Sequence, residues 1–353
     1  MIHHWKKELE EVGVGCKVDI LSSGKLSKGV HTTLIENSYK FLIVDEIHQY
    51  RGNSIRTKEL IKIADTIPIK LGLTGTAFDK DYAELYYPIR ILSKGEVLPK
   101  YITKFRDEYC KSDFSGYNFT LRKDKIPEFL KYFNSFTLKH YNEEIKVPPV
   151  KVVWIGPTED QKKFIDDLLS FKPIPKINNE HASLEDANLL NKLHQVTSGF
   201  YITKDMKPID VCTTYKFNQV YKILKRHREQ KIIVWYRYKY EKELLTSRFN
   251  FLDLYVFSTK ANEEFSQADK GVMLCHPKSA GTGVDISSAD VSIYINFFDS
   301  FIDLVQSHYR MSKHGDKTEK IIYEILLDHP RIRRSFRERN KKQKRYKGLY
   351  GNS

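Results

Sequence analysis

Cysteine is scarce in this sequence, and long apolar runs are missing. Only four cysteines occur among 353 residues, Cys16, Cys110, Cys212 and Cys275, far apart and with no CxxC pair. That pattern excludes a dense disulfide framework, offers no zinc-ligand spacing and fits a reducing compartment. No apolar run approaches the roughly 20 residues that a membrane span needs. The N-terminus, Met1-Ile2-His3-His4-Trp5-Lys6-Lys7, leads into charged sequence without the apolar core of a signal peptide. The expectation is a cytoplasmic chain, not secreted and with no membrane partner. Acids are in the minority as well, with 45 Asp and Glu against 59 Lys and Arg and a formal charge of +14. A surplus of this size favours a polyanionic partner, most simply nucleic acid.

What is present is globular. Hydrophobic residues make up 41% and charged residues 29% of a chain long enough for two ordinary domains. The organising stretch is Phe41-Leu42-Ile43-Val44-Asp45-Glu46-Ile47-His48. Four apolar residues read as a short buried strand of a parallel sheet, and two carboxylates come where that strand ends. Open α/β sheets place ligands at the carboxyl ends of their strands. An acidic pair there suits magnesium, a hard cation that prefers oxygen, with Asp45 holding the metal and Glu46 orienting a water for attack on a phosphate. A buried strand can also end in Asp-Glu for structural reasons alone, so the motifs further down the chain carry the weight.

Lys17 to Leu21 reads as a strand, and Ser22 to Gly29 as a loop whose Gly24-Lys25 lacks the G-x-x-x-x-G-K-[ST] spacing of a phosphate loop. Ile55 to Ala64 reads as a helix. A strand then runs from Ile67 into Thr74-Gly75-Thr76, 29 residues after Asp45. Val147-Pro148-Pro149-Val150 marks a boundary. Beyond it strands and helices alternate, which implies a second parallel sheet. Gly271 to His276 is a strand that delivers Lys278-Ser279-Ala280-Gly281-Thr282-Gly283-Val284-Asp285. Phe301 to Lys313 is a helix that carries Gln306, Arg310 and Lys313. Gln306 and Arg310 are four apart and share a face. Arg331 to Ser353 holds ten Lys or Arg against one acid, Glu338. It reads either as a solvated tail or as a sequence-blind phosphate contact, with Arg333, Arg334, Lys341 and Lys342 among its cations.

These motifs, in this order, resemble those of superfamily 2 helicases. Asp45-Glu46-Ile47-His48 is similar to the DEAD/DEAH-type Walker B box, Thr74-Gly75-Thr76 to the Ser/Thr-Gly-Thr motif, Ser279 to Ile286 to motif V, and Gln306 to Gly315 to motif VI. Trp5-Lys6-Lys7-Glu8-Leu9, Tyr82 to Tyr86 and Phe105 to Cys110 resemble segments of the Swi/Snf-like branch, which includes viral double-stranded-DNA translocases. The resemblance covers about residues 1–328. It implies two RecA-like α/β domains at 1–146 and 147–330, the first N-terminally incomplete, followed by a basic tail at 331–353.

The implied activity is ATP hydrolysis coupled to movement on double-stranded DNA, in a bacterial or virus-infected cell, with ATP and Mg2+ as cofactors. Asp45, Glu46, His48, Gln306, Arg310 and Lys313 would be catalytic. Gly281, Gly283 and Asp285 would bind the nucleotide. Thr74, Gly75, Thr76, Lys278 and Ser279 would couple it to DNA. Two departures stand out. No Walker A loop is present, so the chain is expected to be a fragment, or a split subunit with a partner polypeptide that supplies the loop, and the first sheet would lack a central strand. The last motif VI arginine falls on Lys313, which keeps the charge and loses the planar fork. The alternative is a nucleic-acid-binding remnant or accessory subunit that hydrolyses nothing.

Overall fold

A computed structural model describes residues 2–28, 39–75, 77–78, 81–114, 116, 118–138, 147–170, 186–277, 286–298, 300–312 and 318–350. The chain divides into two compact units, Met1–Tyr141 and Asn142–Ser353. The class is α/β, with parallel pairing in the main sheet of each unit.

In the first unit, helix α1 (Ile2–Val12) and a short helix α2 (Ser23–Leu26) precede strand β1 (Phe41–Val44). Helix α3 (Ile55–Thr66) crosses to strand β2 (Ile69–Gly72), which pairs with β1 in parallel, Phe41 opposite Ile69 and Val44 opposite Gly72. Ser54 caps α3 by accepting from the Thr57 N–H, which satisfies one of the donors a helix start leaves open. Leu60, Ile63 and Ala64 of α3 pack with Val44, Ile47 and Ile91 on one face of this sheet. Helix α4 (Tyr86–Ser93) supplies Ile91, and its Arg90 reaches α3 through a two-pronged pair with Asp65 at 2.8 and 2.9 Å. Helix α5 (Ile102–Tyr109), the antiparallel pair β3 (Cys110–Ser112) and β4 (Phe119–Leu121), and helix α6 (Ile126–Ser135) complete the unit. Phe105, stacked on Tyr86 at 4.6 Å and near Phe129 at 6.2 Å, holds this part together.

The strand expected at Lys17 to Leu21 does not form. Val18 and Leu21 are exposed, and no neighbouring strand among the described residues offers them a ladder.

The second unit is built on a six-stranded parallel sheet. In space the strands run β5 (Val150–Ile155), β12 (Ile321–Leu327), β11 (Val291–Tyr294), β8 (Lys231–Trp235), β10 (Gly271–Cys275) and β9 (Leu254–Val256). Helix α7 (Glu159–Leu169) opens with a capping box between Thr158 and Gln161, as its sequence predicts. Helix α8 (Asp186–Thr197) and a small antiparallel pair, β6 (Phe200–Ile202) with β7 (Pro208–Asp210), come next.

The central strands are apolar on both faces because helices cover both. Ile232 and Val234 meet Phe217, Val220 and Leu224 of helix α9 (Thr213–Arg226) and Leu245 of helix α10 (Lys239–Arg248). Ile233 and Trp235 meet Phe265 of helix α11 (Thr259–Gln267) and Leu304 of helix α12 (Phe301–Arg310).

The basic C-terminal stretch is not a free tail. Pro330–Tyr350 is helix α13, and its inner face belongs to the second unit. Ile332 is buried, Phe336 meets Trp154 edge-on at 5.3 Å, and Arg339 is buried in an ion pair with Glu324 of β12. Sequence composition reports the cations and is silent on the one-sided apolar spacing of Ile332 and Phe336. Removing one member of a buried pair strands the other charge, which costs about 3–5 kcal/mol. Arg339→Ala should therefore lose about that much stability in urea unfolding, and Glu324→Gln combined with Arg339→Met should recover most of it. Equal stability for Arg339→Ala and the parent chain would show that α13 is not anchored by this pair.

Candidate functional site

The acidic pair sits where the sequence puts it. β1 ends at Val44, and Asp45 and Glu46 stand at its carboxyl end. The chain then turns at once into a single 3-10 turn, Ile47–Tyr50. Glu46 makes that turn with φ of +48°, a left-handed conformation that side chains other than glycine rarely adopt. Such a conformation persists only where its surroundings hold it, and three contacts do so. The Ile47 N–H donates to Leu73 O at 3.0 Å, the Leu73 N–H donates to Val44 O at 2.8 Å, and the Glu46 N–H donates to Asp45 Oδ1 at 2.9 Å.

Gly72 eases the crossing. A Cβ there would lie 2.7 Å from Ile47 Cδ1 and 3.0 Å from Leu92 Cδ1, so any other residue would require these side-chain ends to shift for the turn to rest on the end of β2.

This packing brings Thr74 to the acids. His48 Nδ1 lies 2.8 Å from Thr74 Oγ1 and 3.0 Å from Glu46 Oε2, and the Thr74 hydroxyl is itself 3.4 Å from Glu46 Oε2. His48 is buried and Glu46 half-buried. The three side chains form one closed triangle that ties the loop after β1 to the loop after β2. Asp45 is exposed, and its Oδ2 accepts from the Trp5 indole N–H at 3.1 Å. The sequence marks Trp5 only as part of a segment; its reach to Asp45 across 40 positions is a tertiary fact that no local pattern reports.

Asp45 and Glu46 fit a magnesium ion of the kind that uses one or two carboxylates together with substrate phosphates. Asp45 presents an exposed carboxylate, and its Oδ2 contact is an indole donor that a cation could replace. Among the described residues no cluster of three or more His, Cys, Asp or Glu side chains forms a dedicated metal cage.

In the second unit, Gln306 and Arg310 lie on α12 and are both partly buried on a shared face. His308, two residues from each, points the other way into the interior, where burial and then the Arg339 charge push its pKa down to about 3, leaving it neutral. Lys278, Ser279, Gly281, Gly283 and Asp285 lie outside the described residues, as do Thr76 and Lys313. Gly75 is described and open around its Cα.

No family model matches the sequence. The chain is 21% identical over 349 residues to the ISWI chromatin-remodeling complex ATPase CHR17 of Arabidopsis thaliana, a match that takes in 90% of this chain and 32% of that protein. The chain thus spans about a third of the length of this relative. Among solved structures it is similar to the Sulfolobus solfataricus SWI2/SNF2 ATPase core in complex with dsDNA, at a TM-score of 0.40 and 16% identity, covering 93% of this chain and 71% of that one.

Sequence reasoning missed one polar cluster at the carboxyl ends of β8 and β11. Glu241 is fully buried, accepts from the backbone N–H groups of Arg237 at 2.8 Å and Tyr238 at 3.1 Å, and bonds the Asn296 amide. Asn296 in turn takes the Ser198 hydroxyl. Lys216 donates to Thr197 O at 3.3 Å nearby, and burial pushes its pKa down to about 8. A Glu at the third position of a helix was the available signal, readable as a cap and not as a buried acid.

Because His48 and Thr74 bridge two loops, their effects should not add. In a double-mutant cycle of His48→Ala and Thr74→Val, urea unfolding should return a coupling energy of about 0.5–3 kcal/mol. Simple additivity would mean that the two loops are held by backbone contacts alone.

Proposed function

We propose that this chain forms most of an ATP-dependent translocase on double-stranded DNA, of the superfamily 2, Swi/Snf-like kind, as a fragment or split subunit whose phosphate-cradling loop is supplied from outside these 353 residues. The observation that carries this is the triangle of Glu46, His48 and Thr74 beside Asp45. It sets a proton-accepting carboxylate and a metal-binding carboxylate at one strand end, and it links the first to a hydroxyl on a neighbouring loop. The similarity to a chromatin-remodelling ATPase supports the reading at the level of the whole chain.

In this reading Asp45 would hold Mg2+, which would supply positive charge against that of a bound triphosphate. Glu46 orients a water and takes its proton. His48 shares Glu46 with Thr74, so a change in hydrogen bonding at Glu46 is felt in the Thr74–Gly75–Thr76 loop. The resemblance to superfamily 2 helicases assigns Gln306, Arg310 and Lys313 to the phosphates, Gly281, Gly283 and Asp285 to the nucleotide, and Lys278 and Ser279 to the DNA.

A covering segment outside these 353 residues is supported by the outer face of the first sheet. Phe41, Ile43, Ile69 and Leu71 form two cross-strand pairs on that face, at 66, 57, 52 and 50% exposure. Parallel sheets are ordinarily covered on both faces, so four large apolar side chains in this arrangement call for a cover. The sequence carries no G-x-x-x-x-G-K-[ST]. Asp45 and Glu46 alone would bring two negative charges to a triphosphate with no backbone cradle to fix it in line.

DNA contact is proposed for the outer face of α13. Arg334 is exposed there, whereas Arg333 is held by Asp328 at 2.7 Å and Lys341 by Glu338 at 2.9 Å, so these two bind phosphate only by exchanging partners. Lys342, next to Lys341, is half-buried. Each phosphate neutralised on duplex DNA contributes about 0.9 to the slope of log affinity against log salt. Replacing Arg334, Lys341 and Lys342 with glutamine should lower that slope by up to about 3 without altering the fold. An unchanged slope would remove α13 from DNA binding.

A further inference from the structure

On the opposite face of the six-stranded sheet, α9 carries a second basic surface of a different chemical character. The helix has 14 residues and no acid. Phe217, Val220, Ile223 and Leu224 are its buried side, packed on Ile232 and Val234, whereas α13 is anchored at Glu324 and lies on the other side with α12. Its outward arc carries Tyr215, Tyr221, Lys222, Lys225 and Arg226, all exposed.

None of these three cations makes an ion pair among the described residues. The next acid in the chain, Glu229, is occupied by Lys270 at 2.7 Å and Arg228 at 3.3 Å. Beside the arc, the loop after α10 presents Phe251 at 63% exposure. Tyr221 stacks on Phe249 with ring centroids 6.3 Å apart and meets Phe251 edge-on at 6.3 Å. Phe249 is buried and touches both rings, so it backs Tyr221 and Phe251 as a pair at the surface.

A merely solvated helix face interleaves acids with its cations, as the pairs Lys260–Glu264 on α11 and Lys7–Glu11 on α1 do. The outer arc of α9 does not. It sets unpaired cations beside two partly exposed rings, Tyr221 at 43% and Phe251 at 63%.

We propose that this surface binds a single-stranded nucleic acid. Lys222, Lys225 and Arg226 take the backbone phosphates, while Phe251 and Tyr221 stack on bases. A duplex keeps its bases stacked on each other and offers these rings nothing, so the aromatic pair selects for the unpaired strand. The site is separate from the duplex contact proposed for α13 and goes beyond it, because the two lie on opposite faces of one sheet.

The test uses the full chain with a labelled oligo-dT and a labelled duplex of equal length, read by fluorescence anisotropy over a range of salt. Phe251→Ala should weaken oligo-dT binding about 5- to 150-fold and leave duplex affinity unchanged. Replacing Lys222, Lys225 and Arg226 together with glutamine should lower the single-strand salt slope by about 2. Phe251→Trp keeps a stacking ring and should retain parental affinity, which separates stacking from local unfolding.

Any of three results overturns the proposal. The first is equal oligo-dT affinity for Phe251→Ala and the parent. The second is an equal loss on duplex and single strand. The third is displacement of oligo-dT from the parent chain by a polyglutamate peptide of matched charge as readily as by unlabelled oligo-dT, which would mark a surface for acidic proteins. The α13 variants report on duplex alone, so failure here leaves the duplex reading standing, and the reverse also holds.

Discussion

The parallel pairing of β1 with β2 is the contact on which the candidate chemistry depends. It sets Val44 opposite Gly72, and from those two residues the chains diverge into loops that bend back to meet. Without a side chain at Gly72 the turn at Ile47 can rest on β2. With that turn in place, Glu46 takes its left-handed conformation and His48 reaches Thr74. A slip of the pairing by one residue would move Gly72 away from Ile47 and turn the buried side chains of one of the two strands to the exposed face. The triangle of Glu46, His48 and Thr74 is therefore a consequence of register, and register rests on Leu42 and Val44 finding the core that α3 and α4 supply.

The same pairing leaves the sheet unfinished. One face is covered by α3 and α4; the other shows Phe41, Ile43, Ile69 and Leu71 to solvent. The second unit shows what a covered parallel sheet looks like in this protein, with Ile233 and Trp235 buried on one side and Ile232 and Val234 on the other. The contrast between the two sheets is what motivates a cover over the first one in the proposed function.

Much of the architecture was legible in the sequence because it is encoded in local pattern. Alternation of apolar strands with amphipathic helices implied the α/β class, and the Thr158–Gln161 capping box and the helix bearing Gln306 and Arg310 lie close to their expected places. The acid pair was legible as two carboxylates at the end of an apolar strand, although that strand, expected to be buried, is covered on one face only. What stayed hidden depends on residues far apart in the chain. Trp5 reaches Asp45, Ser198 reaches Asn296, and Arg339 reaches Glu324 only through tertiary packing. The C-terminal stretch shows this most clearly. Its ten cations dominate its composition, yet Ile332, Phe336 and the buried Arg339 decide that it is a docked helix. Lys17 to Leu21 errs in the other direction, with strand-like residues and no described neighbour to pair with.

The central proposal is that Asp45 and Glu46 are the acids of a nucleotide site whose phosphate cradle lies outside these 353 residues. Steady-state ATP hydrolysis by the purified chain, with Mg2+ and duplex DNA, tests it directly, with Glu46→Gln measured alongside. The account predicts that the chain alone shows no turnover that depends on Glu46. Robust turnover that disappears in Glu46→Gln would contradict it, because the phosphates would then have a cradle within these 353 residues.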